Sequence, residues 1–301
     1  MAIVDTTRPI TAESCERMIL DLVQAYPFCR TEELTTTAYG RPVRTLVLGT
    51  GNRKVIFTAA HHANEWITAL VLLKFAEDVC SGAIPNARQI LERSTIYMVP
   101  MVNPDGVDLV VGAIPPDSVP YENAEELAEF YPQIPFTSGW KSNLLGVDLN
   151  LQYPAMWRLA REIKFMQGYT RPGPRDYVGR APLTQIEASA LAGYTEYIDP
   201  ALVLAYHSQG KVIYWQFGDY VVPGAKELGE EFARLSGYKL DDTPYESSFA
   251  GYKDWFIQNF RKPGYTIEVG EGENPLPLSQ FDEIYRDNIG IMSTAALGLS
   301  I

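Results

Sequence analysis

The chain is poor in the residues that build disulfide frameworks, membrane spans and nucleic-acid surfaces. Its 301 residues contain three cysteines, an odd number with no C-x-x-C pair, so we expect reduced, idle thiols rather than a disulfide framework. No run of about eighteen apolar residues occurs, and no membrane-spanning helix is expected. The net charge of −12 repels phosphate backbones and anionic lipid surfaces. We therefore expect neither nucleic acid nor a membrane as a partner.

The amino-terminal segment lacks the features of a secretory signal. Residues 1–14 have no basic start followed by an apolar core. The cytoplasm is therefore the expected location, although a processed or truncated chain would look the same. No Gly/Ser linker, internal repeat or low-complexity tract divides the sequence, and residues 1–301 are predicted to form a single domain.

What the sequence does contain is an alternation of helix-like and strand-like apolar patterns. Helices are predicted at 12–25, 66–79, 223–235, 251–260 and from Leu278 onwards. Strands are predicted at 43–49, 54–60, 94–101, 201–206, 211–215 and 265–269, the first two joined by a turn at 50–52. Thr11 is the expected N-cap of the first helix, and Thr184 with Glu187 predicts a capping box. Residues 103–145 have no clean period and are predicted to form a long functional loop.

Several predicted strands are apolar on both faces. The runs V-I-F-T-A-A, I-Y-M-V-P-M and L-V-L-A-Y leave no polar side to face solvent. Strands of this kind are buried between two layers of helices. The sequence therefore predicts a three-layer α/β/α sandwich.

The chain has three histidines, and all of them follow predicted strands. His61 and His62 come directly after strand 54–60, and His207 follows strand 201–206. Active sites of α/β sheets lie at the carboxyl ends of strands. His62 and Glu65 are three residues apart, a spacing that lets an imidazole and a carboxylate reach one cation, with His207 as a third ligand. H-x-x-E alone is a weak pattern, and His61 is expected to pack beside the site rather than bind metal.

The segment H-H-A-N-E-W at 61–66 resembles the zinc carboxypeptidase family of the carboxypeptidase A/B type. In that family an H-x-x-E-W segment follows a central strand, and a distant histidine and a late glutamate complete the site. Further motifs match in the same order: N-P-D-G at 103–106, G-V-D-x-N at 146–150, H-S at 207–208, D-W at 254–255 and T-I-E at 266–268. The likeness covers roughly residues 8–295 and implies a central mixed β-sheet.

The resemblance implies a metal site and a catalytic base. His62, Glu65 and His207 would bind one Zn²⁺ per chain, and Glu268 would take a proton from water and pass it to the departing amine.

The same resemblance implies a second positive group for the oxyanion. The family has an arginine after a tryptophan at this place, whereas here Trp140 is followed by Lys141. Lys141 is therefore predicted to stabilise the oxyanion, the alternative being a solvated surface lysine.

The sequence departs from ordinary carboxypeptidases at the carboxylate clamp. Their Asn-Arg pair corresponds to Asn150-Leu151 here, which lacks the guanidinium that binds a terminal carboxylate in a bidentate manner. Segment 148–155, with Asn150 and Gln152 as candidate substrate-binding residues, resembles the bacterial γ-D-glutamyl-L-diamino acid peptidases. So does T-I-E-V-G-x-G-x-N-P-L-P at 266–277. Those enzymes cut peptidoglycan stem peptides between D-Glu and meso-diaminopimelate or lysine.

Two more substrate contacts are predicted with open alternatives. Lys253 precedes the D-W motif at the pocket for the leaving residue, where it could pair with a substrate carboxylate. Its alternative is a solvated helix lysine. Tyr245 lies near the position of the family's mobile tyrosine, although the alignment slips by one residue and Glu246 competes for the place.

The predicted function is hydrolysis of peptidoglycan-derived peptides during turnover of wall peptides inside the cell. Two other functions stay open: a zinc carboxypeptidase or amidohydrolase with other substrates, and a non-catalytic binding module of the same fold. The choice between diaminopimelate and lysine, the native metal and the oligomeric state are left open.

Overall fold

The computed structural model describes residues 2–298. Met1 and residues 299–301 lie outside the described residues. The predictions for the amino-terminal segment 1–14 and for the domain 1–301 include these residues and are compared with the structure only over residues 2–298. Eight strands in residues 2–298 form one sheet: β1 Arg30–Thr36, β2 Pro42–Leu48, β3 Arg53–Thr58, β4 Ser94–Val99, β5 Leu202–Ser208, β6 Val212–Tyr214, β7 Lys239–Asp241 and β8 Gly264–Val269.

The sheet is mixed, as the family resemblance implied. Its strand order is β1-β2-β4-β3-β5-β8-β6-β7. At the centre β4, β3, β5 and β8 are parallel neighbours. On one side β2 runs antiparallel to both β1 and β4, and on the other β6 runs antiparallel to β8 and parallel to β7. The carboxyl ends of β3, β5 and β8 therefore meet at one edge of the sheet.

Ten α-helices accompany the sheet in residues 2–298. They are α1 Ala12–Ala25, α2 Ile67–Ser81, α3 Ala87–Arg93, α4 Pro104–Val110, α5 Val119–Ala128, α6 Trp157–Met166, α7 Ile186–Ile198, α8 Ala225–Ser236, α9 Tyr252–Phe260 and α10 Phe281–Leu297. None of these helices has both the length and the apolar character needed to cross a membrane.

The helices cover both faces of the sheet and bury two separate apolar clusters. Along β3, Phe57 joins the cluster formed with α1, α2, α8 and α10, whereas its neighbour Ile56 joins the cluster formed with α6, α7 and α9. Adjacent residues of a strand point to opposite faces, so one apolar run feeds both cores. This arrangement is the three-layer α/β/α sandwich predicted from the two-sided apolar strands.

Several predicted elements are confirmed almost to the residue. The helix at 12–25 forms as α1, and the Thr11 side chain caps it by accepting a hydrogen bond from the Ser14 N–H. The six predicted strands correspond to β2, β3, β4, β5, β6 and β8. Strands β2 and β3 are nevertheless not partners, although a turn signal joins them, because β4 lies between them in the sheet.

The prediction of a long loop at 103–145 was wrong in part. This segment contains α4 and α5. In α4 the acidic residues Asp105 and Asp108 are buried and interrupt the apolar period. Arg41 pairs with both, with its Nη1 at 3.0 Å from Asp105 Oδ1 and its Nε at 2.6 Å from Asp108 Oδ2. A partner more than sixty residues away cannot be read from local periodicity.

The predicted capping box at Thr184 and Glu187 was also wrong. Helix α7 begins at Ile186 with Gln185 at the N-cap, and no side chain caps it. Thr184 instead bonds to Gln152, whose Oε1 accepts from the Thr184 N–H at 2.8 Å.

Candidate metal centre and active-site cleft

Three strand ends bring the histidines and the late glutamate to one edge of the sheet. After β3 the chain turns at Ala60, with φ of 47°, and the segment from His62 to Glu65 enters a short 3₁₀ turn. His207 lies near the end of β5, and Glu268 lies directly opposite it in the parallel pairing with β8. Parallel neighbours are about 4.8 Å apart, so these two residues are held side by side.

His62, Glu65 and His207 converge on one point. Glu65 Oε1 lies 2.9 Å from His62 Nδ1, and Glu65 Oε2 lies 2.8 Å from His207 Nδ1. The two Nδ1 atoms are 3.2 Å apart. All three residues are buried, and one donor atom from each lies within 4.8 Å of the others. Two imidazole nitrogens and a carboxylate facing one another form the donor set of a catalytic zinc site, so these residues fit the ion.

Asp148 orients His62 from the opposite side of the imidazole ring. Its Oδ1 lies 3.2 Å from His62 Nε2 and also accepts from the Asn150 N–H at 3.0 Å. Burial alone would lower the pKa of His62, but the carboxylates of Glu65 and Asp148 raise it to about 9. An outer carboxylate of this kind fixes the tautomer and orientation of a metal-binding histidine.

His61 packs beside the metal ligands, in agreement with the expectation for this residue. Its ring stacks on His207 with centroids 5.6 Å apart, and its Nε2 lies 3.2 Å from the Tyr153 hydroxyl. Burial lowers its pKa well below the usual value. His61 therefore acts as a neutral packing residue at the site.

Glu268 borders the cleft beside the three converging side chains. Its side chain is partly exposed to that cleft. Burial, together with the negative charge of Glu65, raises the pKa of Glu268 to about 8. A carboxyl group with a pKa near neutrality can both accept and return a proton.

Lys141 extends into the same cleft. Its Nζ lies 3.5 Å from Glu65 Oε1, and its side chain is 20% exposed. Burial would lower its pKa, but the charges of Glu65 and Asp148 raise it, so the ammonium stays charged. The preceding Trp140 is fully buried and anchors this turn. The structure thus places a cation next to the converging ligands, rather than on the open surface.

Two of the predicted substrate-binding residues line the cleft. Asn150 does so while its Oδ1 accepts from the Tyr252 N–H at 3.1 Å. Lys253 is only 4% exposed, unlike a solvated helix lysine. Its Nζ lies 2.7 Å from the Gln216 carbonyl, 3.3 Å from Thr243 Oγ1 and 2.6 Å from Asp254 Oδ1. Two donors of this ammonium are therefore hydrogen-bonded within the protein, and its charge is paired with Asp254.

Gln152 does not lie where the sequence prediction placed it, whereas the substrate contact of Tyr245 stays a prediction. Gln152 is fully buried and lies outside the cleft, because its Nε2 donates to the carbonyls of Val178 and Ala181. Its expected contact with substrate is thus corrected to a structural link between two segments. Tyr245 is 63% exposed and packs edge-on against Phe249, on a short turn at the rim of the cleft.

Sequence reasoning assigned no role to three charged groups of the site. Asp148 is the aspartate of the G-V-D-x-N motif. As a carboxylate within a motif of the predicted site, it could have been recognised as a hydrogen-bond partner of His62. Lys164 and Asp176 also line the cleft, with Lys164 Nζ 2.7 Å from Asp176 Oδ1. They lie on α6 and in the loop after it, outside the quoted motifs, so no local signal identified them.

Comparisons with known proteins agree with this geometry. The profile of the family described as zinc carboxypeptidase matches residues 15–290. Gamma-D-glutamyl-L-diamino acid endopeptidase 1 of Lysinibacillus sphaericus is 42% identical over 283 residues, which are 91% of this chain and 68% of that protein. The uncharacterized protein YqgT of Bacillus subtilis (strain 168) is 36% identical over 286 residues, 92% of this chain and 74% of that protein.

A solved structure shows the same fold at much lower identity. Carboxypeptidase A from Helicoverpa armigera superposes with a TM-score of 0.74 at 17% identity, covering 98% of this chain and 75% of that one.

Proposed function

The chain belongs to the zinc carboxypeptidase family, and we propose that it hydrolyses the γ-D-glutamyl-L-diamino acid bond of peptidoglycan stem peptides. The observation that carries the catalytic part is the convergence of His62, Glu65 and His207 beside Glu268. The substrate follows from the 42% identity to a relative named for that activity. Residues 1–301 would act as one catalytic domain.

The proposed metal ligands are His62, Glu65 and His207. A zinc ion held there supplies Lewis acidity, which makes water nucleophilic at neutral pH and polarises the scissile carbonyl. Asp148 keeps a proton of His62 on Nε2, so that Nδ1 would be the nitrogen that binds the ion.

Glu268 is the proposed general base and acid. Its position opposite His207, with a side chain open to the cleft, lets it take the proton of the attacking water. The same carboxyl then returns that proton to the departing α-amine of the diamino acid. Burial and the charge of Glu65 raise its pKa, which makes the carboxylate a stronger base for the proton of water.

Lys141 is the proposed partner of the developing oxyanion. Its charged Nζ, 3.5 Å from Glu65 Oε1, already lies beside the ligands. A fixed cation at this place stabilises negative charge that appears only in the transition state, and so it raises the rate rather than ground-state binding.

The wall of the cleft supports a substrate other than an ordinary peptide terminus. Leu151 lines the cleft where the family has its guanidinium, so no bidentate clamp for a terminal carboxylate is available there. Asn150 is the proposed substrate contact from this turn. Lys253 can reach a substrate carboxylate only by exchanging its 3.3 Å contact with Thr243.

The proposed location is the cytoplasm, where the enzyme would act on peptides released from the wall. The three cysteines of the chain are free thiols, which suits a reducing compartment. Cell fractionation followed by immunodetection tests this location, and recovery of the protein outside the cell would contradict it.

A substrate panel tests the proposed activity. The zinc-loaded protein is incubated with L-Ala-γ-D-Glu-meso-diaminopimelate, with its lysine counterpart and with α-linked peptides of the same length, each with and without a chelator. We expect chelator-sensitive cleavage of a γ-D-glutamyl peptide. Cleavage of the α-linked peptides alone would reject the proposed substrate, and no cleavage at full zinc occupancy would favour a binding module.

A further inference from the structure

Three lysines line the active-site cleft of a chain whose net charge is −12. Lys141, Lys164 and Lys253 each lie close to a carboxylate, and Lys164 and Lys253 are less than 10% exposed. Lysines are almost never this buried unless they are paired. The cleft is also lined by the carboxylates of Asp148, Asp176, Asp254 and Glu268, so the free donors of each lysine, rather than a net positive charge, decide whether it can bind an anionic group.

The three ammonium groups differ in how their donors are used. Lys253 is held within the protein by two hydrogen bonds and one ion pair. Lys141 faces Glu65 among the converging ligands. For Lys164, the acceptor within residues 2–298 is Asp176 Oδ1 at 2.7 Å. An ammonium has three donors, so two of those on Lys164 are left for a group in the cleft.

The partner of Lys164 is itself shared between two cations. Asp176 Oδ2 lies 2.6 Å from Arg175 Nε, so one carboxylate stands between a lysine and an arginine. The Lys164–Asp176–Arg175 group therefore holds two cations for one carboxylate, and the next carboxylate is Asp148, whose Oδ2 accepts from the Asp176 N–H at 3.4 Å. Its lysine end lines the same cleft as Asn150 and Leu151.

We propose that Lys164 binds a carboxylate of the substrate and takes over the role that the missing guanidinium at Leu151 leaves open. The inference rests on the proposed function and names the part of the substrate that is recognised. A γ-D-glutamyl-diamino acid peptide offers a carboxylate on either side of the scissile amide: the α-carboxylate of D-Glu and the α-carboxylate at the acylated centre of the diamino acid. Lys164 is assigned to one of these two, and not to the distal carboxylate that diaminopimelate also carries. Lys164 is thus a specificity-determining residue, fixed in place by its ion pair with Asp176.

Carboxamide analogues of the substrate test the proposal on the wild-type enzyme. The parent peptide is L-Ala-γ-D-Glu-meso-diaminopimelate, and two analogues replace one α-carboxylate each by a carboxamide. We expect kcat/KM to fall about 10- to 100-fold for one of the two analogues, because a hydrogen-bonded charge pair is lost. The analogue that responds identifies which carboxylate Lys164 binds. Equal rates for all three peptides would overturn the proposal.

Variants of Lys164 connect that preference to this side chain. Lys164→Met should cleave the parent as slowly as wild type cleaves the sensitive analogue, with no further loss on that analogue. Lys164→Arg should restore part of the preference, and Lys226→Met on the exposed face of α8 should keep wild-type values. A purely structural lysine would give the same fractional loss on all three peptides, and that result would also overturn the proposal.

Two controls keep folding and the underlying activity separate from recognition. Zinc content and thermal unfolding are measured for each variant. If Lys164→Met does not fold, it is replaced by the double variant Lys164→Met/Asp176→Asn, which removes both charges of the ion pair. The double variant must show the same loss of preference. If even wild type leaves every γ-D-glutamyl peptide intact while cleaving α-linked ones, the proposed function itself fails, and the assignment of Lys164 fails with it.

Discussion

The carboxylate of Asp148 meets the ring of His62 on the side away from Glu65, with Oδ1 3.2 Å from Nε2. An ionised carboxylate can only accept a hydrogen bond, so Asp148 holds a proton on Nε2, and Nδ1, which faces Glu65, is the nitrogen that would bind a metal ion. Since Asp148 Oδ1 also accepts from the Asn150 N–H, one residue links the orientation of a proposed metal ligand to the turn that carries a proposed substrate contact.

Asp148→Ala should weaken zinc binding without removing a ligand. Loss of an outer carboxylate of this kind typically costs about 10- to 100-fold in metal affinity. Competition against a chromophoric chelator measures the dissociation constant. Asp117→Ala, at an exposed position, serves as the control. A wild-type dissociation constant for Asp148→Ala would contradict the orienting role.

Glu268→Gln should separate metal binding from turnover. The amide keeps the size of the side chain but cannot take up the proton, and a positioned general base contributes about 10²- to 10⁴-fold. We expect kcat to fall in that range while the zinc content measured by atomic absorption stays at one per chain. Turnover close to wild type would remove Glu268 from the mechanism.

Lys141→Met should lower kcat more than it changes KM. Removing one group that stabilises an oxyanion costs about 10²- to 10³-fold in kcat. Lys141→Arg restores the charge in the form that the family uses and should recover much of the rate. Steady-state kinetics on the parent peptide distinguishes the two variants. A loss confined to KM would mean that Lys141 binds the substrate ground state.

Lys253→Met should destabilise the protein, because Asp254 would be left buried without its cation. Burial already raises the pKa of Asp254 against the opposing effect of Lys253. Breaking a buried ion pair from one side costs about 3–5 kcal/mol in the free energy of unfolding. Urea denaturation measures this loss.

The double variant Lys253→Met/Asp254→Asn provides the matched test. It should recover part of the stability, because the unpaired charge is gone. Exposed Lys239→Met should stay within about 0.5 kcal/mol of wild type. If Lys253→Met were as stable as wild type, the ion pair between Lys253 and Asp254 would not stabilise the fold as its buried contacts indicate.

Cys29 and Cys80 should form a disulfide under mild oxidation. Their Sγ atoms are 3.2 Å apart, and the hydrogen bond from the Cys80 thiol lowers the pKa of Cys29. Oxidised glutathione would accept the two electrons, giving one protein disulfide and two molecules of reduced glutathione. The bond should raise the free energy of unfolding by about 2–4 kcal/mol.

Thiol titration of the denatured protein measures this reaction. The count should fall from three to one, with Cys15 remaining, and Cys29→Ser should stay unoxidised at two. Three titratable thiols after oxidation would contradict the prediction. The sequence did not reveal this pair, because the two residues lie 51 positions apart.

Local spacing made the centre of the site predictable, whereas its surroundings depend on long-range contacts. His62 and Glu65 are joined by one short turn, and the ends of neighbouring strands bring His207 close to them. Lys164 has no comparable signal, because its place in the cleft depends on how α6 packs. For Gln152 the sequence suggested a substrate contact that the structure does not have. Gln152 lies two positions after Asn150, the last residue of the G-V-D-x-N motif, but the 3₁₀ turn before it directs its side chain into the interior.

The same distinction holds for the secondary structure. Central strands were predictable because both of their faces are apolar. Strand β1 was missed because it is an edge strand with the mostly polar sequence R-T-E-E-L-T-T, which leaves no alternation to detect. Helix α4 was missed because its buried acidic residues pair with Arg41 from a distant segment.

His207 and Glu268 occupy matching rungs of the ladder between β5 and β8. Their separation is therefore set by main-chain hydrogen bonds in the middle of the sheet, which mutations in the surrounding loops leave in place. Evolution can rebuild the walls of the cleft while the distance between ligand and base remains constant. An engineer who wishes to redirect the enzyme to another peptide can do the same, by exchanging loops and leaving these two strands untouched.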